Sequence, residues 1–221
     1  MITIVDKKIA QDVAKQLLQI KAVSINTKKP FRYVSGILAP IYTDNRLLIS
    51  HYTQWKVIID NYVKVIKNYI KPQPDVLSGT ATAAIPHASA LAYELHMPMV
   101  YVRSSKKDHG KENLIEGEFA PHSNVLIVED LVSTGKSITL NVNAIREAGG
   151  KVTQCLAITT STLGAFVEVV NELNIELLTL TNIQTVIETA INEKYITDND
   201  GRSVNQFLAN PKTWGHEMGY E

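Results

Sequence analysis

From Asp75 onward the chain alternates short apolar segments with longer amphipathic ones, and this alternation restricts the fold more than any other feature. The short segments are typical of buried strands, and the longer ones carry apolar residues at helical spacing. Strands that alternate with helices in this way form a mostly parallel sheet with helices on both faces. The predicted strands are DVLSG, PMVYVR, NVLIVED, KVTQCLAITT and IELLTL, and the predicted helices are residues 81–96, 136–148, 161–173 and 182–193.

The segments before Asp75 predict an N-terminal helix, a small hood of short strands and turns, and a second helix. Ser50 is expected to cap this second helix, which runs to about Lys71. Its predicted inward residues are Trp55, Ile58, Ile59, Tyr62, Val65, Ile66 and Tyr69. We expect one α/β domain over residues 1–221, with the helix and hood in about 1–49, the core in about 50–197, and a tail of a short helix plus an irregular end in 198–221.

The composition is that of an ordinary globular protein, with 45% hydrophobic and 20% charged residues and a formal net charge of zero. Because neither charge is in excess, we expect no nucleic-acid partner, and any basic site must be local. No apolar segment approaches the roughly 20 residues of a membrane span, and the first residues lack the apolar region of a signal peptide. We therefore expect a cytoplasmic protein without a membrane partner.

The single cysteine and the histidines give no sign of a metal site. Cys155 lies in an apolar segment and is expected to be a buried core residue. The histidines have no ligand-like spacing, so we interpret them as structural or surface residues, and His87, which follows Ile85-Pro86, is the one nearest to a candidate site.

The segment VLIVEDLVSTGKS carries the main functional signal. An apolar strand runs into Glu129 and Asp130, and a turn of small hydroxyl residues, 133–137, follows ahead of a helix. Gly135 lets a ligand approach the backbone, and the N–H groups of the turn and the helix N-terminus attract phosphate. The turn is not a Walker P-loop, because that motif needs a glycine where Asp130 stands.

The two carboxylates favour a sugar phosphate over a bare phosphate. They would repel an anion unless they face hydroxyl groups or a metal ion, and a sugar phosphate offers hydroxyl groups beside its phosphate. The alternative is a turn rich in capping residues, with its acids in solvent. A second segment, RSSKKDHGKE, forms a local cluster of positive charge that could neutralise a pyrophosphate leaving group or could be a solvated hairpin.

These segments together resemble the type I phosphoribosyltransferase family. VLIVEDLVSTGKS is similar to its motif for phosphoribosyl diphosphate (PRPP), and RSSKKDHG, residues 103–110, resembles the catalytic loop of the orotate-specific branch. GTATAAIPHA, residues 79–88, resembles the pyrophosphate loop, and SGILAPIYTDNR, residues 35–46, resembles the hood. The resemblance implies the α/β fold of that family and transfer of ribose 5-phosphate from PRPP to orotate.

The resemblance also implies roles for individual residues. The diphosphate would be contacted by Arg103, Lys107 and His109 from the neighbouring subunit of a homodimer, and by backbone groups of Thr80, Ala81 and Thr82. The ribose hydroxyls would bind Glu129 and Asp130, directly or through Mg²⁺ with Asp130 as its possible ligand. The 5′-phosphate cradle would comprise Leu131, Val132, Ser133, Thr134, Gly135, Lys136 and Ser137. Orotate would contact Ser133, Tyr42 and Arg46. The residues expected to carry catalysis are Lys107, His109, Arg103 and Asp130.

The sequence departs from the family pattern at several positions that bear on the base. Leu38 replaces a lysine of the hood, Ala84 replaces a glycine before Ile-Pro, and Ala83 and Ser104 stand where some members have lysine. Asp44 and Asn45 are further hood candidates for the base. Two alternatives therefore stay open: a phosphoribosyltransferase for a purine base, and a regulator that senses PRPP without catalysis.

Overall fold

The computed structural model describes residues 2–4, 6–33, 35–105, 114–160 and 166–220. Within these ranges the strands are β1 (Ile2–Ile4), β2 (Val23–Ile25), β3 (Phe31–Arg32), β4 (Leu38–Ala39), β5 (Ile41–Thr43), β6 (Val76–Thr80), β7 (Met99–Val102), β8 (Ile115–Glu116), β9 (Val125–Val132), β10 (Gln154–Thr160) and β11 (Glu176–Thr179). The helices are α1 (Lys7–Gln19), α2 (Tyr52–Tyr69), α3 (Ile85–Leu95), α4 (Lys136–Glu147), α5 (Phe166–Glu172), α6 (Ile183–Asn192), α7 (Asp198–Ala209) and α8 (Trp214–Glu217), with a 3-10 helix at Asn45–Ser50.

A seven-stranded sheet forms the centre of the described chain, in the order β1-β11-β10-β9-β6-β7-β8. Neighbouring strands are parallel except β8, which runs antiparallel to β7. All residues of β6 and β10 are buried. The structure thus confirms the mostly parallel sheet predicted from the alternation. The sequence pattern does not predict β1, because three residues are too few to show a period, and pairing with β11 defines the strand.

Two apolar cores lie on the two faces of the sheet, because successive residues of a strand point to opposite sides. In β9, Leu126 and Val128 pack in the core that contains α1, α2, α3 and α6, while Val125 and Ile127 pack in the core that contains α4 and α5. Cys155 is fully buried in the second core, as predicted. In the part of the chain that the structure describes, no helix is long and apolar enough to cross a membrane.

The predicted start of the second helix is wrong. The Asp44 side chain accepts a hydrogen bond from a backbone N–H two residues on and begins the 3-10 helix, so the chain is already helical at Ser50, and α2 starts two residues later. The predicted inward residues of α2 are buried or partly buried except Tyr69, which is 43% exposed. Ile70, extended just after the helix, is buried in its place.

The hood and the tail pack together. Two antiparallel pairs, β2–β5 and β3–β4, form the hood. Phe207 of α7 and Trp214 of α8 are fully buried, with ring centroids 5.8 Å apart, and Tyr33 of the hood lies 6.2 Å from Phe207. The tail is more helical than predicted, because Thr197 and Asp200 exchange hydrogen bonds as a capping box ahead of the 12-residue α7.

His87 joins α3 to α2 and is structural, as predicted. Its Nδ1 accepts a hydrogen bond from the Trp55 indole N–H at 2.9 Å, and its side chain is fully buried. Burial disfavours the charged imidazole and lowers the pKa of His87 to about 4. The unfolded chain, with a pKa near 6.5, therefore binds a proton that the folded chain does not in the interval between these values.

We expect the free energy of unfolding to fall as the pH drops through this interval. His87→Leu should remove the part of this decrease that comes from protonation of His87 in the unfolded chain. Between about pH 7 and about pH 4.5 the wild type should lose about 2 kcal/mol more than His87→Leu in urea unfolding. Trp55→Phe is the control, because it removes the indole donor but leaves the imidazole buried, so it should keep the wild-type slope. Equal slopes for the wild type and His87→Leu would contradict the prediction.

Candidate active site

The acid pair lies inside a strand rather than at its end. β9 continues to Val132, two residues past Asp130, because Leu131 and Val132 remain paired with Thr159 and Thr160 of β10. This corrects the prediction that the strand stops at the acids. Glu129 is only 5% exposed, and Asp130 is partly exposed.

Two side chains from outside the sheet hold the backbone of the acid pair. The Tyr62 hydroxyl, fully buried in α2, donates to the carbonyl oxygen of Glu129 at 2.7 Å. The Asn45 amide, in the 3-10 helix after the hood, donates to the carbonyl oxygen of Asp130 at 2.9 Å. The side chain of Glu129 turns back and accepts from the N–H of Asp130 at 3.0 Å. The 3-10 helix and α2 thus hold the backbone from which the two carboxyl groups leave the strand.

Burial controls the charge of both acids. It raises the pKa of the Glu129 carboxyl well above its usual range, and the neighbouring charge of Asp130 raises it further. Burial also raises the pKa of Asp130, although hydrogen bonds from Glu129 and from backbone N–H groups oppose the rise. Hydroxyl donors or a cation at this place would stabilise the ionised carboxylates, which is what a ribose ring or Mg²⁺ supplies.

The turn after β9 has the properties of an anion cradle. Ser133, Thr134, Lys136 and Ser137 are exposed, and α4 begins at Lys136. Gly135 precedes the helix and has no side chain to cap its first N–H groups, and uncapped N–H groups at a helix N-terminus are suited to bind an anion. The predicted members Leu131 and Val132 also line the small cavity in front of the turn, with Glu129 at its edge.

The structure adds a second reason for Gly135. Its φ is +81°, where side chains are strained, and a Cβ atom built there would lie 2.7 Å from Cγ1 of Val169 in α5. Close approach of a ligand to this backbone stays a prediction. A side chain at this position would push the turn away from α5.

A second turn, residues 81–84, follows β6, the strand that pairs with β9, and leads into α3. It was predicted as part of the helix, but α3 begins only at Ile85. Ala81 donates its N–H to Val102 of β7 at 3.1 Å, so this N–H is engaged within the sheet, while Thr82 is exposed. The peptide bond between Ala81 and Thr82 is cis. Thr80 is buried, and its hydroxyl faces the interior of the protein.

Ala84, which stands where many family members have glycine, has a backbone conformation that any residue can adopt. Ala84 is fully buried, with φ −85° and ψ −12°. These angles lie in the ordinary helical region, so the position does not require glycine. The departure at Ala84 therefore leaves the backbone of the turn unstrained.

Arg103 is at the same edge of the sheet as the acid pair and the turn at residues 81–84. It follows β7, its N–H donates to Leu114 at 2.9 Å, and its guanidinium lies 3.6 Å from the carboxylate of Glu116. Its side chain is 30% exposed. Lys107 and His109, the other predicted cations of this loop, lie outside the described residues.

The hood residues predicted to hold the base form a closed ion pair. Nε and a terminal nitrogen of Arg46 donate to the two carboxylate oxygens of Asp44 at 2.6 Å and 2.8 Å. This contact lowers the pKa of Asp44. Tyr42 is 41% exposed, with its ring 5.6 Å from Phe31. Leu38 is a core residue of β4 at 9% exposure, so the position of the family lysine is apolar and buried here.

The two carboxylates of the acid pair would suit a cation that is bound partly by the protein and partly by the substrate. No cluster of three or more histidine, cysteine or carboxylate side chains occurs among residues 2–4, 6–33, 35–105, 114–160 and 166–220. Glu129 and Asp130 offer two carboxylates, which suits Mg²⁺ bound mainly through phosphate oxygens and water.

Comparison with known proteins agrees with this arrangement. The sequence model of the phosphoribosyl transferase domain matches residues 49–164. The orotate phosphoribosyltransferase of Coxiella burnetii is 44% identical over 93% of this chain and 98% of its own length. That of Listeria monocytogenes serotype 4b is 42% identical over 94% of this chain and 99% of its own length.

A solved structure shares the fold over most of the chain. The orotate phosphoribosyltransferase of Aeropyrum pernix aligns over 80% of this chain and 97% of its own, with 26% identity and a TM-score of 0.66. Full-length relatives at more than 40% identity and the matching domain lead to one assignment. The chain belongs to the orotate phosphoribosyltransferases, a family built on the phosphoribosyl transferase domain.

Proposed function

We propose that this chain transfers ribose 5-phosphate from PRPP to orotate, giving orotidine 5′-monophosphate and pyrophosphate in pyrimidine biosynthesis. The observation that carries the proposal is the order of groups along one edge of the sheet. The acid pair of β9 leads directly into the cradle turn, and the adjacent strand β6 ends in a second turn. A phosphorylated ribose with a diphosphate on its anomeric carbon has groups in the same order.

Each part of PRPP has a partner in this arrangement. The 5′-phosphate is proposed to bind the N–H groups and hydroxyls of residues 133–137, and the ribose hydroxyls to donate to Glu129 and Asp130. The diphosphate is proposed to bind the turn at Thr82. Arg103, Lys107 and His109 are proposed to approach it from the partner subunit of a homodimer.

The chemistry requires stabilisation of the leaving group more than a strong base. The bond between the anomeric carbon and the diphosphate breaks as the ring nitrogen of orotate forms its bond, and positive charge develops on the sugar. Arg103 and Lys107 are proposed to neutralise the departing diphosphate, while the acidic ring nitrogen of orotate needs no strong general base. When bound, Mg²⁺ would draw charge from the diphosphate oxygens, with Asp130 as its candidate protein ligand.

The identity of the acceptor base depends on contacts from the hood and the cradle turn. Ser133, Tyr42 and Arg46 are the proposed contacts to orotate, yet Arg46 holds Asp44 and Leu38 replaces a lysine. A spectrophotometric assay with PRPP, Mg²⁺ and orotate, repeated with xanthine, hypoxanthine and adenine, tests it. Turnover of a purine without turnover of orotate would contradict the proposal.

Asp130→Asn is expected to lower kcat/KM for PRPP by at least about tenfold, or 1.4 kcal/mol. An amide accepts hydroxyl hydrogen bonds less strongly than a carboxylate and is a poorer partner for Mg²⁺. The matched control is Asp75→Asn, which alters an aspartate at the opposite end of the sheet that accepts from the N–H of Asn124 at 2.8 Å. Wild-type kinetics in folded Asp130→Asn protein would exclude the proposed ribose contact.

Gly135→Ala is expected to weaken PRPP binding by at least about tenfold in calorimetry. The new methyl group displaces the cradle turn from Val169, so Gly135→Ala combined with Val169→Ala should recover part of the lost affinity. Val169→Ala alone serves as the control and should bind PRPP normally. If the double variant binds no better than Gly135→Ala, the contact with Val169 is not the cause of the loss and the packing explanation is wrong.

Lys107→Ala is expected to lower turnover far more than PRPP binding, because its contact forms mainly in the transition state. In a homodimer whose loop acts across subunits, Lys107→Ala and Asp130→Asn damage different halves of each site. Mixing the two inactive variants under subunit exchange should restore about a quarter of wild-type activity, since about half the dimers are mixed and each has one intact site. No recovery after verified exchange would mean that the loop acts within its own subunit.

A further inference from the structure

A buried asparagine interrupts the apolar face of α4. The inward residues of this helix are Ile138, Asn141, Val142, Ala144 and Ile145, and Asn141 is fully buried among them. A buried amide is costly unless its donors and acceptor are all engaged. An apolar residue would satisfy the packing at this position, so the amide calls for a further explanation.

Asn141 is the middle of a directed chain of hydrogen bonds. The Ser78 hydroxyl donates to Oδ1 of Asn141 at 2.8 Å, which fixes the orientation of the amide. Nδ2 of Asn141 then donates to the hydroxyl oxygen of Thr80 at 2.9 Å. Since the oxygen of Thr80 accepts this bond, its own hydrogen must point elsewhere.

The hydrogen of Thr80 points toward β9. The Thr80 hydroxyl donates to the carbonyl oxygen of Val128 at 3.4 Å. β6 pairs with β9 through Gly79 and Val128, so the side chains of Thr80 and Glu129 are side by side on the face that α4 covers. The chain of bonds therefore ends on β9 at the residue before the acid pair.

This chain joins the three parts of the proposed PRPP site. α4 begins at the cradle turn, Thr80 leads into the turn proposed for the diphosphate, and Glu129 belongs to the proposed ribose contacts. We propose that Asn141 is a positioning residue for PRPP, which acts by holding the Thr80 side chain against β9 beside Glu129 and so aligning the cradle, the acid pair and the turn at residues 81–84. The inference rests on the proposed function and extends it to residues without substrate contact.

Asn141→Leu is expected to raise KM for PRPP about tenfold, as loss of a buried hydrogen-bond partner can. KM for orotate should rise much less, because the chain of bonds ends beside Glu129, which is proposed to bind PRPP, and Ser133 alone among the aligned groups is also proposed to contact orotate. The matched control is Asn61→Leu, an equally buried asparagine of α2 that donates to Asp12 at 3.0 Å. It should lower stability to a similar degree and leave both KM values unchanged.

A double-mutant cycle tests whether Asn141 acts through Thr80. Thr80→Val keeps the shape of the side chain and removes the hydroxyl, so Asn141→Leu should raise KM for PRPP far less in the Thr80→Val background than in the wild type. Equal effects in both backgrounds, or a folded Asn141→Leu protein with wild-type KM for PRPP, would overturn the inference. Should Asn141→Leu fail to fold, Ser78→Ala takes its place, and a wild-type KM for PRPP in that variant would overturn it equally.

Direct titration of each variant with PRPP and Mg²⁺ by calorimetry separates this inference from the identity of the base. Weaker PRPP binding by Asn141→Leu would support the inference even if orotate proved to be the wrong acceptor. If the wild type bound no PRPP, the proposed function would fail, and the inference with it.

Discussion

The active-site edge depends on keeping two adjacent carboxyl groups in a strand that the fold buries. A strand inside a parallel sheet normally carries apolar residues, and Glu129 is almost without solvent. The Tyr62 hydroxyl and the Asn45 amide donate to the two carbonyl oxygens of the pair and stabilise this part of the strand. The 3-10 helix after the hood and α2 therefore both support the acids from outside the sheet.

The sequence predicts most strands of the sheet because the patterns of strands and helices lie within short segments of the chain. Continuous apolar segments flanked by helical periodicity identify β6, β9, β10 and β11. It does not predict the short strands β1 and β8, whose existence depends on pairing with β11 and β7. It also extends α3 too far back, because the alanines of residues 81–84 have helical propensity while the end of β6 holds them in a turn.

For the candidate site, the sequence identifies the segment proposed to bind the ligand but not the residues that support it. Glu129, Asp130 and the cradle turn form one segment with a recognisable order. Tyr62 reaches Glu129 from 67 positions away, and Asn141 reaches Ser78 from 63 positions away. No local pattern links such pairs, so Tyr62 was expected only to face inward and Asn141 was not distinguished from the rest of its helix.

The ion pair between Arg46 and Asp44 bears on how the proposed site would select a base. Asp44 takes two of the five N–H donors of the guanidinium, one from Nε and one from a terminal nitrogen. The other three belong to a side chain that is 64% exposed, so a second carboxylate can bind there without breaking the pair. An acidic base that did so would meet a guanidinium whose charge Asp44 already offsets in part, and its gain in free energy would be smaller than beside an unpaired arginine.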